Sequence, residues 1–288
     1  DSCRWGGEGF VIAYADDTFS TVEADTMEEL REKMELEGDN VLNYFASKKL
    51  VTNPSKTVVI VFRPTLNDLV VSPISITLAG ENVTESQETK LLGVYVTNDL
   101  KWKYQVDKLI NDLNYSISVL WRLRSALGNK EMKMIAEGLV MSKLRYCIAT
   151  YGVEFVRVNE NDPTHNLLDR LQLIQNTVLR IITGHRRSEH VRISDMLKKT
   201  GLLSVNQTIA YSCLMEAWKA KTFNVPILKS VFDRERKDSR KLRSDTNNIV
   251  TYKSNETFAR NSSKLRNLAS NRFKNTNLTI VAKNEAKN

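Results

Sequence analysis

Tyr14-Ala15-Asp16-Asp17 sets two adjacent carboxylates where a hydrophobic run beginning at Phe10 gives way to a turn. Like charges a few Å apart raise each other's pKa. A divalent cation relieves that conflict, because Mg²⁺ takes hard oxygen ligands and works with one or two protein carboxylates plus substrate phosphates. An exposed Asp-Asp turn needs no cation, so the dyad alone leaves both readings open. A second candidate chemistry is nucleic-acid contact. Lys101, Lys103, Arg122 and Arg124 lie near Trp102, Tyr104, Tyr115 and Trp121, a mixture able to track a phosphate backbone and stack on bases or sugars. The same residues also suit a solvated helix face with part of the aromatics in a core. Cys3, Cys147 and Cys213 are isolated, and His165, His185 and His190 have no metal-ligand spacing. No disulfide framework is expected from them.

The elements that must position these residues follow from periodicity. Residues 10–23 predict a β-hairpin, with alternation through Phe10, Ile12 and Tyr14 interrupted at Asp16-Asp17 and resumed from Phe19 to Val22. Gly6, Gly7 and Gly9 give it a flexible entry. A helix is expected from Asp25, capped by Asp25 or Thr26, with Leu30, Met34, Val41 and Phe45 on one stripe and Gly38 as its weak point. Asn53-Pro54-Ser55 predicts a turn and Thr57 to Phe62 a short buried strand. Leu91 to Val96 predicts another strand, bent or bulged at Gly93. Helices then take over. Val106, Leu109, Leu113, Ile117 and Leu120 form one stripe, ended by Gly128-Asn129, and Met132, Ile135 and Leu139 begin a helix running towards Cys147. A third enters through Asp162-Pro163, carries Leu167, Leu171, Ile174, Val178 and Ile181, and stops at Gly184. Ser204 and Gln207 have capping-box spacing for a further helix through Ile209 and Leu214. Strands with one helix, then a helical run, predict an α+β chain.

Composition bounds the rest. The 288 residues carry 42 Lys+Arg and 34 Asp+Glu, a net charge of +8, with 41% hydrophobic residues. These are globular values and exclude a chain disordered throughout. The longest apolar run, six residues from Phe10 to Ala15, like the aliphatic run Val58 to Phe62, is far short of the roughly 20 residues that span a bilayer, so no membrane partner is expected. Charge is unevenly placed. Residues 1–62 hold 6 basic and 12 acidic side chains, whereas residues 233–288 hold 14 basic and 6 acidic with ten Asn, a tail-like cationic composition expected to be disordered. The chain opens on Asp1 without a Met and is expected to be a piece of something longer.

The order of motifs resembles the reverse transcriptases of non-LTR retrotransposons, of the jockey or LINE-like type. Tyr14-Ala15-Asp16-Asp17 between short strands is similar to the family's YADD palm hairpin. Asn53-Pro54-Ser55-Lys56-Thr57 leading into a Val/Ile strand is similar to the next palm motif. Lys90-Leu91-Leu92-Gly93-Val94-Tyr95-Val96 resembles the primer-grip strand pair. Leu171-Gln172-Leu173-Ile174-Gln175-Asn176, Leu179 to Gly184, and Gly201-Leu202-Leu203 resemble the helical region after the polymerase domain. The likeness spans roughly residues 8–225.

That resemblance implies RNA-directed DNA polymerase (nucleotidyltransferase) chemistry, with an RNA template, a DNA primer and dNTPs as partners and Mg²⁺ or Mn²⁺ as cofactor. Two ions about 3.5–4 Å apart activate the primer hydroxyl and the leaving pyrophosphate in such enzymes. By the same resemblance Asp16 and Asp17 are metal ligands and catalytic residues, and Lys56 is a cation near the leaving phosphates. Tyr14 packs beside the primer terminus. Leu92 and Gly93 form the turn that steadies the primer. Lys101, Lys103, Arg122 and Arg124 are expected to contact nucleic acid from their clustering with aromatics and not from the resemblance. The implied organisation is the C-terminal part of a palm at 1–98, a helical thumb and connection at 99–232, and a basic tail at 233–288, acting in the nucleus or cytoplasm. The family also uses a third carboxylate on a separate upstream palm strand, together with fingers, and the residues before the hairpin do not contain them. The two-metal site is therefore expected to be incomplete and this chain inactive alone. The rival expectation is a non-catalytic, nucleic-acid-binding remnant of a mobile element.

Overall fold

The computed structural model describes residues 2–3, 10–15, 17–51, 56–63, 72–157 and 165–223. It is a mixed α+β chain, mostly helical, with three short antiparallel β-hairpins, and it divides into two units, Asp1–Lys101 and Trp102–Asn288.

In the first unit, β2 (Phe10–Tyr14) pairs antiparallel with β3 (Asp17–Thr21), Ile12 opposite Phe19 and Tyr14 opposite Asp17. The short β1 (Ser2–Cys3) adds to the far edge of β2. Helix α1 (Met27–Ser47) starts where Thr26 Oγ1 accepts a 3.2 Å hydrogen bond from the Glu29 amide, so Thr26 is the cap. Two further hairpins follow: β4 (Ser75–Leu78) with β5 (Glu81–Thr84), and β6 (Glu88–Leu91) with β7 (Val94–Thr97). Each closes through two residues at positive φ, Ala79 (51°) with Gly80 (79°) and Leu92 (46°) with Gly93 (86°). That geometry matches the right-handed twist of the flanking strands.

The core of this unit is small. Val59, Val61, Ile74, Ile76 and Leu78 are buried, and Met27, Leu30, Met34 and Leu42 of α1 pack against them. Gly38 has a role in that packing, since a Cβ there would run into the Leu78 side chain. Its cost in helix propensity is offset by the close approach of α1 to β4. Arg63 and Glu85 form a bidentate ion pair, 2.5 and 2.7 Å, with side chains only 6% and 5% exposed. Glu85 also accepts from the Ile74 amide, which ties the pair to the strand edge.

Two expectations for this unit need correction. Leu91 to Val96 is no single strand: it straddles the β6–β7 turn, because both Leu92 and Gly93 occupy the left-handed region. Of the strand expected at Thr57 to Phe62, only an isolated bridge from Val59 to Glu85 forms, although Val59 and Val61 are buried. The β4–β5 hairpin was not anticipated. The turn expected at Asn53-Pro54-Ser55, like the Gly6 to Gly9 entry, lies outside the described residues.

The second unit is helical. α2 (Lys103–Leu123) buries Val106, Leu109, Leu113, Ile117 and Leu120, the expected stripe. It ends at Leu123, five residues before Gly128, which instead precedes α3 (Asn129–Ala136). Arg124 fills the gap by donating to the Leu127 carbonyl at 2.9 Å and to Asn129 Oδ1 at 2.9 Å. α3 passes through a π turn at Glu137–Met141 into α4 (Ser142–Arg145), where Ser142 Oγ donates to the Gly138 carbonyl. α5 (Ile148–Gly152) lies against α8 (Val205–Thr222), and a Cβ on Gly152 would meet Ile209 Cγ1 at 2.8 Å.

α6 (Asn166–Thr183) is capped by His165, with Gly184 at φ 77° ending it as expected. The Asp162-Pro163 entry lies outside the described residues. α7 (Ile193–Thr200) is closed by Gly201 at φ 68°, and α8 opens on the Ser204–Gln207 capping box. Buried Gln175 is satisfied by donating to the Leu203 carbonyl at 2.7 Å, which holds the α7–α8 connection on α6. Burial pushes the Cys213 thiol up to about 12, so it behaves as a small apolar core residue.

Candidate nucleic-acid interface and hairpin site

The hairpin that carries the acidic dyad forms because Phe10 to Tyr14 is β-prone and because Ala15 takes up φ 54°. Its register places Tyr14 and Asp17 opposite each other at the strand ends. Asp17 is exposed, and so is Tyr14, at 64% of its surface. Tyr14 therefore stands open to solvent. Asp16 lies outside the described residues. Among the described residues no group of three or more His, Cys, Asp or Glu could hold a metal ion. Asp17 alone does not make a two-metal site, so no catalytic step through a metal follows from this geometry.

Lys56 is exposed, as an ordinary turn lysine would be. Leu92 and Gly93 are exposed at the tip of the β6–β7 hairpin, and Lys90 places its Nζ 5.5 Å from the centre of the Tyr95 ring on the paired strand. A tight hairpin tip with an adjacent cation can press against a polyanionic strand without a bulky side chain intervening. Leucine in the left-handed region costs roughly 1–2 kcal/mol, so this tip carries strain. Beside the hairpin a groove of 340 Å³ is lined by Thr57, Thr84, Ser86 and Thr89 together with Val58, Glu88, Lys90 and Tyr95.

The four cations expected to contact nucleic acid do not form one cluster. Lys101 is ion-paired with Asp99 at 3.1 Å. Burial raises the Asp99 pKa, yet the hydrogen bonds from Thr97 and Lys101 outweigh it and hold the carboxyl below its ordinary value. Lys103 and Arg122 are exposed near opposite ends of α2, nineteen residues apart in sequence. At 1.5 Å per residue they stand about 28 Å apart along the axis. Arg124 is spent on the α2–α3 turn. Of the aromatics, Trp102 is buried at 8% and belongs to the core beside Tyr151, whereas Tyr115 (71%) and Trp121 (55%) are open.

A more coherent surface emerges from the side of α2 opposite its apolar stripe. Tyr104, Lys108, Asn111, Tyr115, Ser118 and Arg122 recur at alternating steps of four and three, so they share one face. Lys108 Nζ stacks 5.0 Å from the Tyr104 ring centre, and Asp107 on the flank is neutralised by Arg170 at 2.6 Å. The line carries cations, aromatic rings and hydrogen-bonding groups and no acid. Lys108 and Asn111 escaped attention in the sequence, where the signal was this complement of the apolar repeat. Also overlooked was His185-Arg186-Arg187, directly after the Gly184 stop.

Compared with protein-family models, with curated proteins and with solved structures, the chain matches none.

Proposed function

We propose that this chain is the C-terminal palm and the thumb-like helical part of an RNA-directed DNA polymerase of the non-LTR retrotransposon type, and that it is inactive alone. The observation that carries the reading is the hairpin register, with Tyr14 opposite Asp17 at the ends of an antiparallel strand pair. The tight Leu92-Gly93 turn supports the primer-steadying role, and the acid-free face of α2 suits a template–primer backbone. In this reading the Asp16-Asp17 tip faces the primer terminus and Mg²⁺ or Mn²⁺ supplies charge neutralisation at the reacting phosphates. The remaining carboxylate comes from palm residues outside this chain.

A photoreactive nucleotide at the 3′ end of a DNA primer on an RNA template tests this on the chain as it exists. Crosslinks should fall in residues 10–22 and 88–97, and primer extension by the chain alone should be undetectable. Crosslinks confined to residues 102–223 would remove the palm assignment and leave the second reading, a non-catalytic nucleic-acid-binding remnant, which the α2 face favours without help from the hairpins.

A further inference from the structure

The segment between α6 and α7 is folded tightly around an acid that is used up internally. Glu189 Oε1 accepts from the Arg186 amide at 2.9 Å, and its Oε2 lies 2.8 Å from His185 Nδ1. Those contacts, the Arg186 amide first, hold the Glu189 carboxyl below its ordinary pKa. The backbone is set by Gly184 at φ 77°, a short 3₁₀ turn at Arg187–Glu189, and His190 at φ 51°. Arg180 donates to the Arg186 carbonyl at 3.3 Å and fastens the loop to α6. Residues 186–199 hold five Lys and Arg against Glu189 and Asp195. Arg186, Arg187, Arg192, Lys198 and Lys199 are all exposed, and none forms an ion pair among the described residues. The adjoining depression of 380 Å³ is lined by Ser194, Lys198, Gly201 and Gln207. Gln207 Oε1 is taken by the Ser204 amide at 3.0 Å, which leaves its NH₂ as a donor.

We propose that this α6–α7 corner is a second nucleic-acid contact surface, in which Arg186, Arg187 and Arg192 grip the phosphate backbone of a duplex. Like charges held at this density on a fixed backbone repel one another, and a row of phosphates removes that repulsion. Guanidinium forks pair with phosphate oxygens bidentately. Two observations select a duplex. The segment from Gly184 to Gly201 contains no Phe, Tyr or Trp, and of its two histidines His185 is held by Glu189, so it lacks the row of aromatic rings on which successive single-stranded bases stack. None of its large apolar side chains is exposed, so it has nothing to insert into a lipid surface. The inference goes beyond the polymerase reading, because duplex binding here needs neither the acidic hairpin nor a metal.

The test is the salt dependence of binding by the 288-residue chain to a short DNA duplex, followed by fluorescence anisotropy over a series of KCl concentrations. The triple variant Arg186→Gln/Arg187→Gln/Arg192→Gln should lower the log–log salt slope by about 2.7, about 0.9 per phosphate contact. The corresponding triple Lys variant should keep the slope, which separates charge from folding. Lys108→Gln/Arg122→Gln on α2 should lower the slope independently, so failure of the α2 face and failure of this corner are distinguishable. An unchanged slope in the Gln triple overturns the proposal, as does an equal loss in the Lys triple. So does loss of binding to phosphatidylserine vesicles with duplex binding intact. A reduced slope together with absent hairpin crosslinks leaves this corner standing and removes the palm assignment.

Discussion

Glu85 shows how one side chain ties this small first unit to pH. The Arg63 guanidinium beside it holds its carboxyl below the ordinary 4.5, with the Ile74 amide assisting against the opposing effect of burial. A depressed carboxylate contributes stability that is full above the unfolded-state value and is lost as pH falls through the folded one. Wild-type chain should therefore lose stability relative to Glu85→Gln as the pH drops below 4.5, followed by urea denaturation at each pH. Near neutrality Glu85→Gln should cost about 3–5 kcal/mol, because Arg63 is left charged in a buried setting; a cost below about 1 kcal/mol would show the pair to be solvated. Gly152 makes a second, independent case. Its missing Cβ gives room to the β-branched Ile209, 2.8 Å from where that atom would sit, and Gly152→Ala should destabilise by about 1–3 kcal/mol through overpacking. Neither effect was legible in the sequence. Arg63 and Glu85 are twenty-two positions apart, and Gly152 and Ile209 lie on helices fifty-seven positions apart.

At the scale of elements, local signals succeeded where the chemistry is local. The Ser204–Gln207 box forms as its spacing implied, with Ser204 Oγ accepting from the Gln207 amide at 3.2 Å and Gln207 returning the bond. Ser204→Ala should cost about 1 kcal/mol in thermal denaturation of the helical unit. Apolar repeats placed α2 and α6 because burial follows the 3.6-residue period. Signals failed where backbone conformation overrides residue preference. Leu92 has no intrinsic preference for φ 46°, so Leu91 to Val96 looked like one strand rather than a turn. Ala79 hid the β4–β5 hairpin for the same reason, although Ile76 and Leu78 alternate and Gly80 follows. Arg124 ended α2 by taking the Leu127 carbonyl, a substitute for the glycine stop expected at Gly128. Leu92→Gly should relieve left-handed strain and raise stability by about 1 kcal/mol, while weakening primer binding if the tip presses on the strand. A stability gain with unchanged primer binding would detach Leu92 from that role.

Across the whole molecule, charge distribution and fold point the same way. The acidic residues concentrate in the first 62 positions, the strong cationic excess lies in residues 233–288, and the latter fall outside the described residues. Between them the helical unit offers two cationic surfaces: the α2 face, flanked by Asp107 paired with Arg170 and by exposed Asp112, and the α6–α7 corner, where Glu189 is held by His185 and Asp195 is exposed. The first unit exposes Leu36, Leu50, Val51, Val58 and Phe62. The sequence offers an order of candidate motifs. Their spatial assembly was not legible there, because Lys101, Lys103, Arg122 and Arg124 were grouped by sequence and helix geometry disperses them. The most direct measurement joins this chain to the fingers and upstream palm of a jockey-type reverse transcriptase and assays DNA primer extension on RNA with Mg²⁺. The account predicts synthesis by the joined protein, none by the chain alone, and a loss of about 100-fold or more on Asp16→Asn or Asp17→Asn, since metal neutralisation supplies several kcal/mol. Extension by the isolated chain, or a joined enzyme indifferent to both aspartates, would contradict it.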